Sequence, residues 1–453
     1  MRTVMVTVDA VRPDHLAQYG YDRDTMPALD RVLDGGTHFE DAFANGPHSG
    51  VSIPSFLTSQ YRGREALANG PSVATALSEA GVTTAGFHSN TMLANEVESG
   101  AGFARFEGFD VDADEDDHER LERSLSDRLF DALTRVAAPV VGNWGPAKRL
   151  YDRFASESQQ FSFQAYVDAE TVTDEVTAWL ADHADDDFFC WVHYMDPHRP
   201  YGVDPGDPAF VDDTVDDEEI RELMIRAGNH PEEITRFERE RLIDLYDSDL
   251  RYTSEHLDRL FDAVTDHCGF DETLVAVTAD HGEEFREHGH FFHRNRPYDE
   301  LLGVPLAVSH PEQDRERVRK QRELLDLAPT VCEFHDVSVP DAFEGRSLYA
   351  GAHRRVVASG ALASERPVAA VRTGAWKYIQ TGSEAGGTDV DRELYDLDND
   401  AAERSNVART ETGLADSLQE LIPEELLVAD GEMAPGEASG ATRERLEQLG
   451  YLD

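Results

Sequence analysis

Two places in the sequence put metal-binding side chains shortly after an apolar stretch rich in β-branched residues. Asp9 follows residues 4–8, and the pair Asp280 and His281 comes after residues 273–278. Carboxylate oxygens and an imidazole nitrogen together suit a hard or borderline divalent cation, and such a cation would hold an anionic ester. An aspartate at a strand end is equally common as a turn or helix-capping residue, so Asp9 alone does not define a site.

The elements that would position these residues alternate between strand and helix patterns. Strand patterns cover residues 4–8, 83–88, 188–193 and 273–278, and helix patterns cover residues 25–33, 72–80, 171–183 and 241–264. This alternation favours an α/β fold, a mostly parallel sheet with helices on both faces. Ligands of open α/β sheets bind beyond the carboxyl ends of the strands, where Asp9, His193 and Asp280 fall.

The pattern changes to short strands after residue 348, with strand patterns at residues 354–359, 368–372, 376–380 and 393–397. We therefore expect a small antiparallel sheet followed by a helical tail. The predicted domains are a catalytic α/β domain, residues 1–350, and a C-terminal subdomain, residues 351–453. We interpret residues 110–160 as an insertion and residues 202–240 as part of a lid over the substrate.

The chain is strongly acidic. Its 453 residues include 91 Asp and Glu against 41 Lys and Arg, for a formal net charge of −50. Such a surface repels nucleic acid and anionic membranes, so neither is an expected partner. An acidic composition with almost no lysine is typical of salt-adapted, haloarchaeal proteins. Molar salt shortens the Debye length to roughly 3 Å, so we expect the fold to depend on salt.

Cysteine usage and hydropathy indicate the compartment. Cys190, Cys268 and Cys332 are widely spaced and form no CxxC pair, so buried free thiols are expected. The first residues lack the pattern of a signal peptide, and no stretch approaches the roughly 20 apolar residues that span a bilayer. We therefore expect a cytoplasmic protein.

Longer motifs make the chain resemble the sulfatases of the alkaline-phosphatase-like superfamily. VDAVRPDHLAQYGY with TMPALDRVLDGGTHFEDAFA is similar to their first metal-binding segment, and VTADHGEEFREHG to their second. Between them, WVHYMDPHRPY resembles the substrate-site segment, and YDELLGVPLAV, LLDLAPTV, FEGRSL, GAWKYI and ELYDLDNDAAE match later landmarks. The resemblance covers nearly the whole chain. It implies one divalent metal, Ca, Mg, Mn or Zn, held by Asp9, Asp280 and His281.

The resemblance also implies a nucleophile. In the family it lies in a CxPSR segment, whose cysteine or serine is oxidised to formylglycine. The matching SIPSF segment places Ser52 at the nucleophile, also in contact with the metal, either unmodified or as formylglycine. Phe56 replaces the family's arginine, and a plain serine can attack sulfur or phosphorus when a metal lowers its pKa. Alternatively, Ser52 only caps a helix that begins near Pro54.

Three further catalytic residues follow from the resemblance. Arg12 corresponds to an arginine near the nucleophile, and Arg294 stands where the family has an oxyanion-binding lysine. His198, within DPHRPY, corresponds to a histidine that contacts the substrate or protonates the leaving group. Asp196 and His193 would support it.

Several positions depart from the family pattern. Ala10 replaces one of two adjacent acids, and His281 replaces an asparagine, which favours Mn, Zn or Fe beside Ca and Mg. His290 and His293 would form a second metal site, act as proton donors or be ordinary loop residues. After the second strand, His88 is present but the family's lysine is not.

These residues favour hydrolysis of a small-molecule or carbohydrate sulfate ester, with Ser52 or its aldehyde hydrate as nucleophile and His198 as proton donor. Phosphomonoester, phosphodiester or phosphonate hydrolysis fits the same site, because tetrahedral oxyanions share size and geometry. The alternative from another class is a non-catalytic glycan-binding relative, which the changes at Ala10 and Phe56 suggest.

Overall fold

A computed structural model describes residues 1–90, 93, 100–109, 166–202, 208–211, 217–351, 356–359, 366–382 and 389–427. These described residues belong to one folded unit. The predicted insertion at residues 110–160 and most of the predicted helical tail lie outside the described residues. The division into domains at residue 350 also stays a prediction.

The strands of the described chain are β1 (Arg2–Val8), β2 (Thr37–Phe43), β3 (Thr83–His88), β4 (Arg105–Gly108), β5 (Phe188–Tyr194), β6 (Thr273–Ala279), β7 (Glu284–Phe285), β8 (Phe291–Phe292), β9 (Gly303–Ser309), β10 (Glu316–Val318), β11 (Arg322–Glu323), β12 (Val356–Ser359), β13 (Val368–Arg372), β14 (Trp376–Thr381) and β15 (Asp391–Asp396). The helices are α1 (Leu29–Gly35), α2 (Ser49–Thr58), α3 (Gly63–Asn69), α4 (Val73–Glu79), α5 (Ala169–Asp182), α6 (Asp217–Asn229), α7 (Arg236–His267), α8 (Asp299–Leu302), α9 (Leu327–Phe334) and α10 (Thr412–Gln419).

The described residues form a central sheet of nine strands. Its order is β10-β2-β9-β6-β1-β5-β3-β4, and β11 also pairs with β2. The run from β6 to β4 is parallel, and β9 is antiparallel to both β6 and β2. β5 and β6 are buried along their whole length, which explains their continuous apolar sequences, because helices cover both faces of such a sheet. The predicted α/β fold is confirmed.

β1 lies between β5 and β6 in the sheet, and this strand order determines which residues meet at the site. In the register of the sheet, Thr7 pairs with His193 on one side and with Thr278 on the other. The carboxyl ends of three parallel strands therefore meet at one edge. Asp9, His193 and Asp280 all lie at that edge, as the sequence predicts.

The predicted antiparallel sheet is also confirmed. Among the described residues it has four strands, in the order β12-β13-β14-β15. Lys377 on β14 is buried, and its Nζ lies 2.8 Å from Oδ1 of Asp299 and 2.9 Å from Oε1 of Glu403. These ion pairs fasten the small sheet to the segment that begins α8.

The state of the three cysteines agrees with the sequence expectation. All three cysteines are buried and free, as predicted. Within the described ranges, no helix combines the length and the apolar character required to cross a membrane.

Candidate active site

The site begins at the carboxyl end of β1. Asp9 is completely buried, and its backbone N–H donates to the carbonyl of Tyr194 at the end of β5 (2.8 Å). Asp280 follows the last residue of β6, on the other side of β1. Nε2 of His193 lies 3.6 Å from Oδ2 of Asp9. The strand order alone therefore brings two carboxylates and an imidazole to one place.

Local hydrogen bonds orient Asp280 and His281. Oδ1 of Asp280 accepts from the backbone N–H groups of His281 (3.0 Å) and Ala10 (3.4 Å), which leaves Oδ2 turned towards the site. Nδ1 of His281 lies 2.7 Å from the carbonyl of Gly282. A carbonyl can only accept, so we assign the proton to Nδ1, and Nε2 of the neutral ring then presents a lone pair. That Nε2 lies 3.8 Å from Oδ1 of Asp9 and 3.6 Å from Oδ2 of Asp280.

The residues present fit a divalent cation. Oδ1 of Asp9, Oδ2 of Asp280 and Nε2 of His193 are buried and have no hydrogen-bond partner in the part of the chain that the structure describes. One ligand atom from each of these three residues lies within 4.8 Å of the others. Burial and the Asp280 carboxylate raise the pKa of Asp9 well above its usual range. A cation would remove the cost of burying these groups unpaired.

Ser49 completes this cluster. It is the first residue of α2, preceded by His48 in extended conformation. Its Oγ donates to Oδ2 of Asp9 (3.0 Å) and lies 3.3 Å from Nε2 of His281. The start of a helix carries partial positive charge, which stabilises an anion at that position. A serine hydroxyl therefore stands beside the candidate metal ligands at an electropositive point.

The structure places Ser52 elsewhere. It lies one turn inside α2, its backbone N–H donates to the carbonyl of His48 (3.0 Å), and its buried Oγ has no hydrogen-bond partner within the described ranges. The prediction that Ser52 caps a helix starting near Pro54 is wrong, because α2 begins at Ser49. The SIPSF segment thus lies one helical turn after the start of α2, and the assignment of Ser52 as nucleophile stays a prediction. The signal in the sequence was Pro47 ahead of His48, which marks an earlier helix start.

His198 lies in the site with a defined tautomer. Its Nδ1 is 2.6 Å from the carbonyl of Arg199 and 2.8 Å from the hydroxyl of Tyr166. We therefore assign a proton to Nδ1, which leaves Nε2 to gain or lose the second proton. This Nε2 is buried and without a hydrogen-bond partner among the described residues. Burial, with the charges of His293 and Arg199, holds the pKa of His198 well below its usual value.

His293, and not its neighbour Arg294, enters the site. The ring of His293 lies 4.6 Å from that of His281 and 4.9 Å from that of His198, between centroids. Its Nδ1 is 3.2 Å from Oε1 of Glu283. Arg294 is exposed, and its guanidinium donates to the carbonyl of Gly228 on α6 (3.4 Å). The structure therefore does not bring Arg294 to the cluster.

Glu283 contacts the ring of His293 through the carboxylate. It is completely buried, and its Oε2 accepts from the hydroxyl of Tyr201 (2.6 Å). Burial raises the pKa of Glu283 to about 7. The Glu283 carboxylate thus sets the orientation of the His293 ring.

The guanidinium of Arg12 is held by hydrogen bonds within the protein. Its guanidinium donates to both carboxylate oxygens of Asp14 (2.9 and 2.7 Å), to Glu287 (2.8 Å) and to the carbonyl of Glu283 (2.9 Å). These acceptors engage all three of its nitrogens. Arg12 therefore joins the loop after β1 to the segment around β7, rather than facing the carboxylates of Asp9 and Asp280.

Arg199 is the basic residue that the sequence analysis missed. Its Cζ lies 4.8 Å from the ring centroid of Phe292, and its charge contributes to the lowered pKa of His198 and of His293, after burial. A permanent cation therefore stands among the site histidines. The available signal was its position directly after His198 in the DPHRPY segment.

Comparison with known proteins identifies the class. The sequence profile of the family described as Sulfatase matches residues 2–337, so the chain belongs to the sulfatase family. An arylsulfatase of Clostridium perfringens is 24% identical over 406 residues, which cover 76% of this chain and 77% of that protein. Family membership makes this protein a sulfatase-type hydrolase, a sulfuric ester hydrolase.

Solved structures share the fold. One, determined in complex with its substrate D-glucosamine-2-N,6-O-disulfate, superposes with a TM-score of 0.65 at 15% identity, covering 100% of this chain and 98% of that chain. A phosphonate monoester hydrolase from Silicibacter pomeroyi has a TM-score of 0.63 at 18% identity, covering 93% of both chains. At these identities the likeness establishes the fold alone.

Proposed function

We propose that this protein hydrolyses sulfate monoesters, with Ser49 as nucleophile and a divalent metal held by Asp9, Asp280 and His281. The observation that carries the proposal is the position of the Ser49 hydroxyl, 3.0 Å from Oδ2 of Asp9 and 3.3 Å from Nε2 of His281. When bound, a metal there would lower the pKa of the hydroxyl and polarise the sulfate oxygens.

The attacking atom is Oγ of Ser49. Oδ2 of Asp9 accepts the hydroxyl hydrogen bond in the resting site, and the start of α2 stabilises negative charge on Oγ. Oγ gives its proton to Oδ2 of Asp9 and forms a bond to sulfur, while the bond from sulfur to the ester oxygen breaks and the alcohol leaves with a proton from His198. Water then releases sulfate and restores Ser49.

Ser49 as a plain serine fits its sequence context best. The segment SGVSI that begins at Ser49 has Val51 and Ile53 where the CxPSR pattern has its proline and arginine. Formylglycine formation at Ser49 would therefore proceed without either landmark. We propose the unmodified hydroxyl, and mass spectrometry of this peptide would reveal an aldehyde if it formed.

His198 is proposed to protonate the leaving alcohol. Its Nδ1 is fixed by the Arg199 carbonyl and the Tyr166 hydroxyl, so Nε2 is the atom that can exchange a proton with the ester oxygen. An anionic ester bound beside the ring favours the charged form, which opposes the effect of burial. A bound ester would thus raise the pKa of His198 and favour the protonated ring that donates to the leaving oxygen.

Arg199 and His293 are proposed to bind the sulfate oxygens, in place of Arg12 and Arg294. The support is that both lie among the site histidines, whereas Arg12 is held by carboxylates and Arg294 is exposed. A guanidinium presents paired donors that match a tetrahedral oxyanion.

The proposed substrate class is a small-molecule or carbohydrate sulfate ester. Support comes from the arylsulfatase relative and from the similar fold of the protein solved with a disulfated glucosamine. A second candidate is a phosphonate or phosphate ester. The nitrogen ligand His281, a serine nucleophile and the phosphonate hydrolase among the fold neighbours favour it.

Initial rates on matched esters separate these candidates. Metal-free protein in molar KCl is reloaded with Mn, Zn, Ca or Mg, and kcat/KM is measured for the para-nitrophenyl esters of sulfate, phosphate and phenylphosphonate. We expect the largest kcat/KM with the sulfate ester, and loss of turnover after chelation. A larger value for the phosphonate or phosphate ester would assign the protein to phosphoryl chemistry.

The acidic composition supports two further proposals, that the protein is salt-adapted and that it works in the cytoplasm. Salt would screen the repulsion between surface carboxylates that a net charge of −50 creates, and this repulsion otherwise destabilises the folded state. Three free, buried cysteines fit a reducing compartment.

A further inference from the structure

His193 is held in a single orientation inside the candidate metal cluster. It lies near the end of β5 and is completely buried. Its Nδ1 is 2.8 Å from Oγ1 of Thr7, which also accepts a hydrogen bond from Nε1 of Trp191 (3.0 Å). The Thr7 hydroxyl lies 3.4 Å from the carbonyl of Val192, to which it donates. With the Thr7 hydrogen directed at Val192, we assign the His193 proton to Nδ1, which donates to Thr7 and leaves a lone pair on Nε2.

Nε2 of His193 has the geometry of a metal ligand. It lies 3.6 Å from Oδ2 of Asp9, which is longer than a hydrogen bond, and no partner for it exists among the described residues. Two donors that bind one cation at about 2.1 Å each lie roughly 3 to 4 Å apart. The 3.6 Å between His193 and Asp9 meets this requirement, and one ligand atom of Asp280 lies within 4.8 Å of both.

We propose that His193 is a further ligand of the divalent metal, beside Asp9, Asp280 and His281. The inference rests on the proposed function only for the existence of that metal. Two imidazole nitrogens change the character of the centre, because imidazole suits Zn or Fe better than Ca or Mg. His193 thus specifies a borderline cation where carboxylates alone would accept a hard one.

The alternative is that His193 does not bind the metal and only positions the carboxylate of Asp9. In that role the ring would tune the carboxylate and never touch the metal. Loss of such a support typically weakens metal affinity by about 10- to 100-fold and leaves the ligand set unchanged. Loss of a ligand changes both the affinity and the spectrum of the bound metal.

The test is metal binding by the full chain in molar KCl, without substrate. His193→Ala and the volume-conserving His193→Gln are compared with wild type by calorimetric titration of chelator-treated protein with Mn²⁺, Zn²⁺ and Ca²⁺. His335→Gln is the matched control, since His335 is also buried and also bonds a β1 threonine, Thr3, through its ring (2.9 Å), at the opposite end of the strand. Circular dichroism checks that each variant is folded.

We expect both His193 variants to lose more affinity for Mn²⁺ and Zn²⁺ than the roughly 100-fold upper limit for a support, with a smaller loss for Ca²⁺. The visible spectrum of the Co²⁺-loaded protein should change, and added imidazole should restore it in His193→Ala. His335→Gln should bind like wild type. An unchanged Co²⁺ spectrum in a folded His193 variant would overturn the inference, as would a wild type that prefers Ca²⁺ to Zn²⁺.

Failure of this inference and failure of the proposed function are distinguishable. A wild type that binds Mn²⁺ through His193 but hydrolyses no sulfate ester contradicts only the proposed function. A wild type that hydrolyses the ester with an unaltered metal site in His193→Gln contradicts only the ligand assignment. A wild type that binds no divalent cation contradicts both.

Discussion

The hydroxyl of Ser49 lies 3.0 Å from Oδ2 of Asp9, although 40 residues separate them in the chain. The contact joins the first residue of α2 to the end of β1, so it depends on where the helix starts and on the order of the strands. Because Asp9 is also a candidate metal ligand, the hydroxyl is set where a metal and a helix end both favour its ionised form.

Arg199 should matter for turnover. We expect Arg199→Gln to lower kcat/KM for a sulfate ester roughly 10- to 100-fold, because a charge-assisted hydrogen bond to the oxyanion is lost. Arg294→Gln is the matched control and should behave like wild type, since Arg294 is exposed. Steady-state kinetics at fixed metal would show the difference. If Arg294→Gln were the more damaged variant, the assignment of the oxyanion contact would be wrong.

His288 should make stability depend on pH. Its Nδ1 is 2.5 Å from Oε1 of Glu300 and its Nε2 is 3.1 Å from the carbonyl of Glu403. Burial lowers the pKa of His288, but the hydrogen bond and charge of Glu300 outweigh it and raise the pKa. This contribution to stability is complete below the unfolded pKa of about 6.5 and is lost as pH rises through the higher folded pKa.

We therefore expect the free energy of unfolding to fall as the pH rises above about 6.5, and to fall less in His288→Gln. Urea denaturation at several pH values in molar KCl measures it. His230→Gln, at a histidine with a half-exposed side chain, is the control and should keep the wild-type slope. Equal slopes in His288→Gln and wild type would show that His288 is not the titrating group.

The strands, and the metal-ligand candidates at their ends, could be predicted because each is marked by a short continuous stretch of sequence. β-branched runs mark β1 and β6 directly, and Asp9 and Asp280 come just after them. The position of Ser49 depends on the exact start of α2, and Pro54 inside the helix suggested a later one. A shift of three residues along a helix exchanges one serine for another.

Two other site assignments depended on information that is not local. Phe292 adopts a φ of 71°, which a bulky aromatic residue rarely does and which the sequence does not signal. The next residue, His293, faces the site, whereas Arg294 is exposed. Arg12 is engaged by Glu287, 275 residues away, so its structural role could be recognised only in the folded chain.

The buried lysine of the small sheet should be essential to stability. Lys377→Met leaves Asp299 with Arg372 alone (2.9 Å) and removes the cation beside the buried Glu403, and the loss of one partner of a buried ion pair costs about 3 to 5 kcal/mol. Lys320→Met, at an exposed position, is the matched control and should leave stability unchanged. Urea denaturation would compare the two variants. Equal midpoints for both would show that the ion pairs contribute little.

Salt should control folding. With a net charge of −50, repulsion between surface carboxylates grows as the Debye length rises from roughly 3 Å in molar salt to about 10 Å at 0.1 M. We expect the midpoint of thermal unfolding to fall steadily as KCl is diluted, with loss of near-ultraviolet circular dichroism at the lowest concentration. A midpoint that is independent of KCl would contradict the proposed salt adaptation.

The nucleophile assignment is tested most directly by comparing Ser49→Ala with Ser52→Ala in sulfate ester hydrolysis. Both serines are buried on α2 and both variants remove one hydroxyl, so they differ mainly in contact with Asp9 and His281. With metal content matched by elemental analysis, we expect Ser49→Ala to lose at least about a thousandfold in kcat and Ser52→Ala to stay within about tenfold of wild type. Retained turnover in Ser49→Ala with loss in Ser52→Ala would contradict the account.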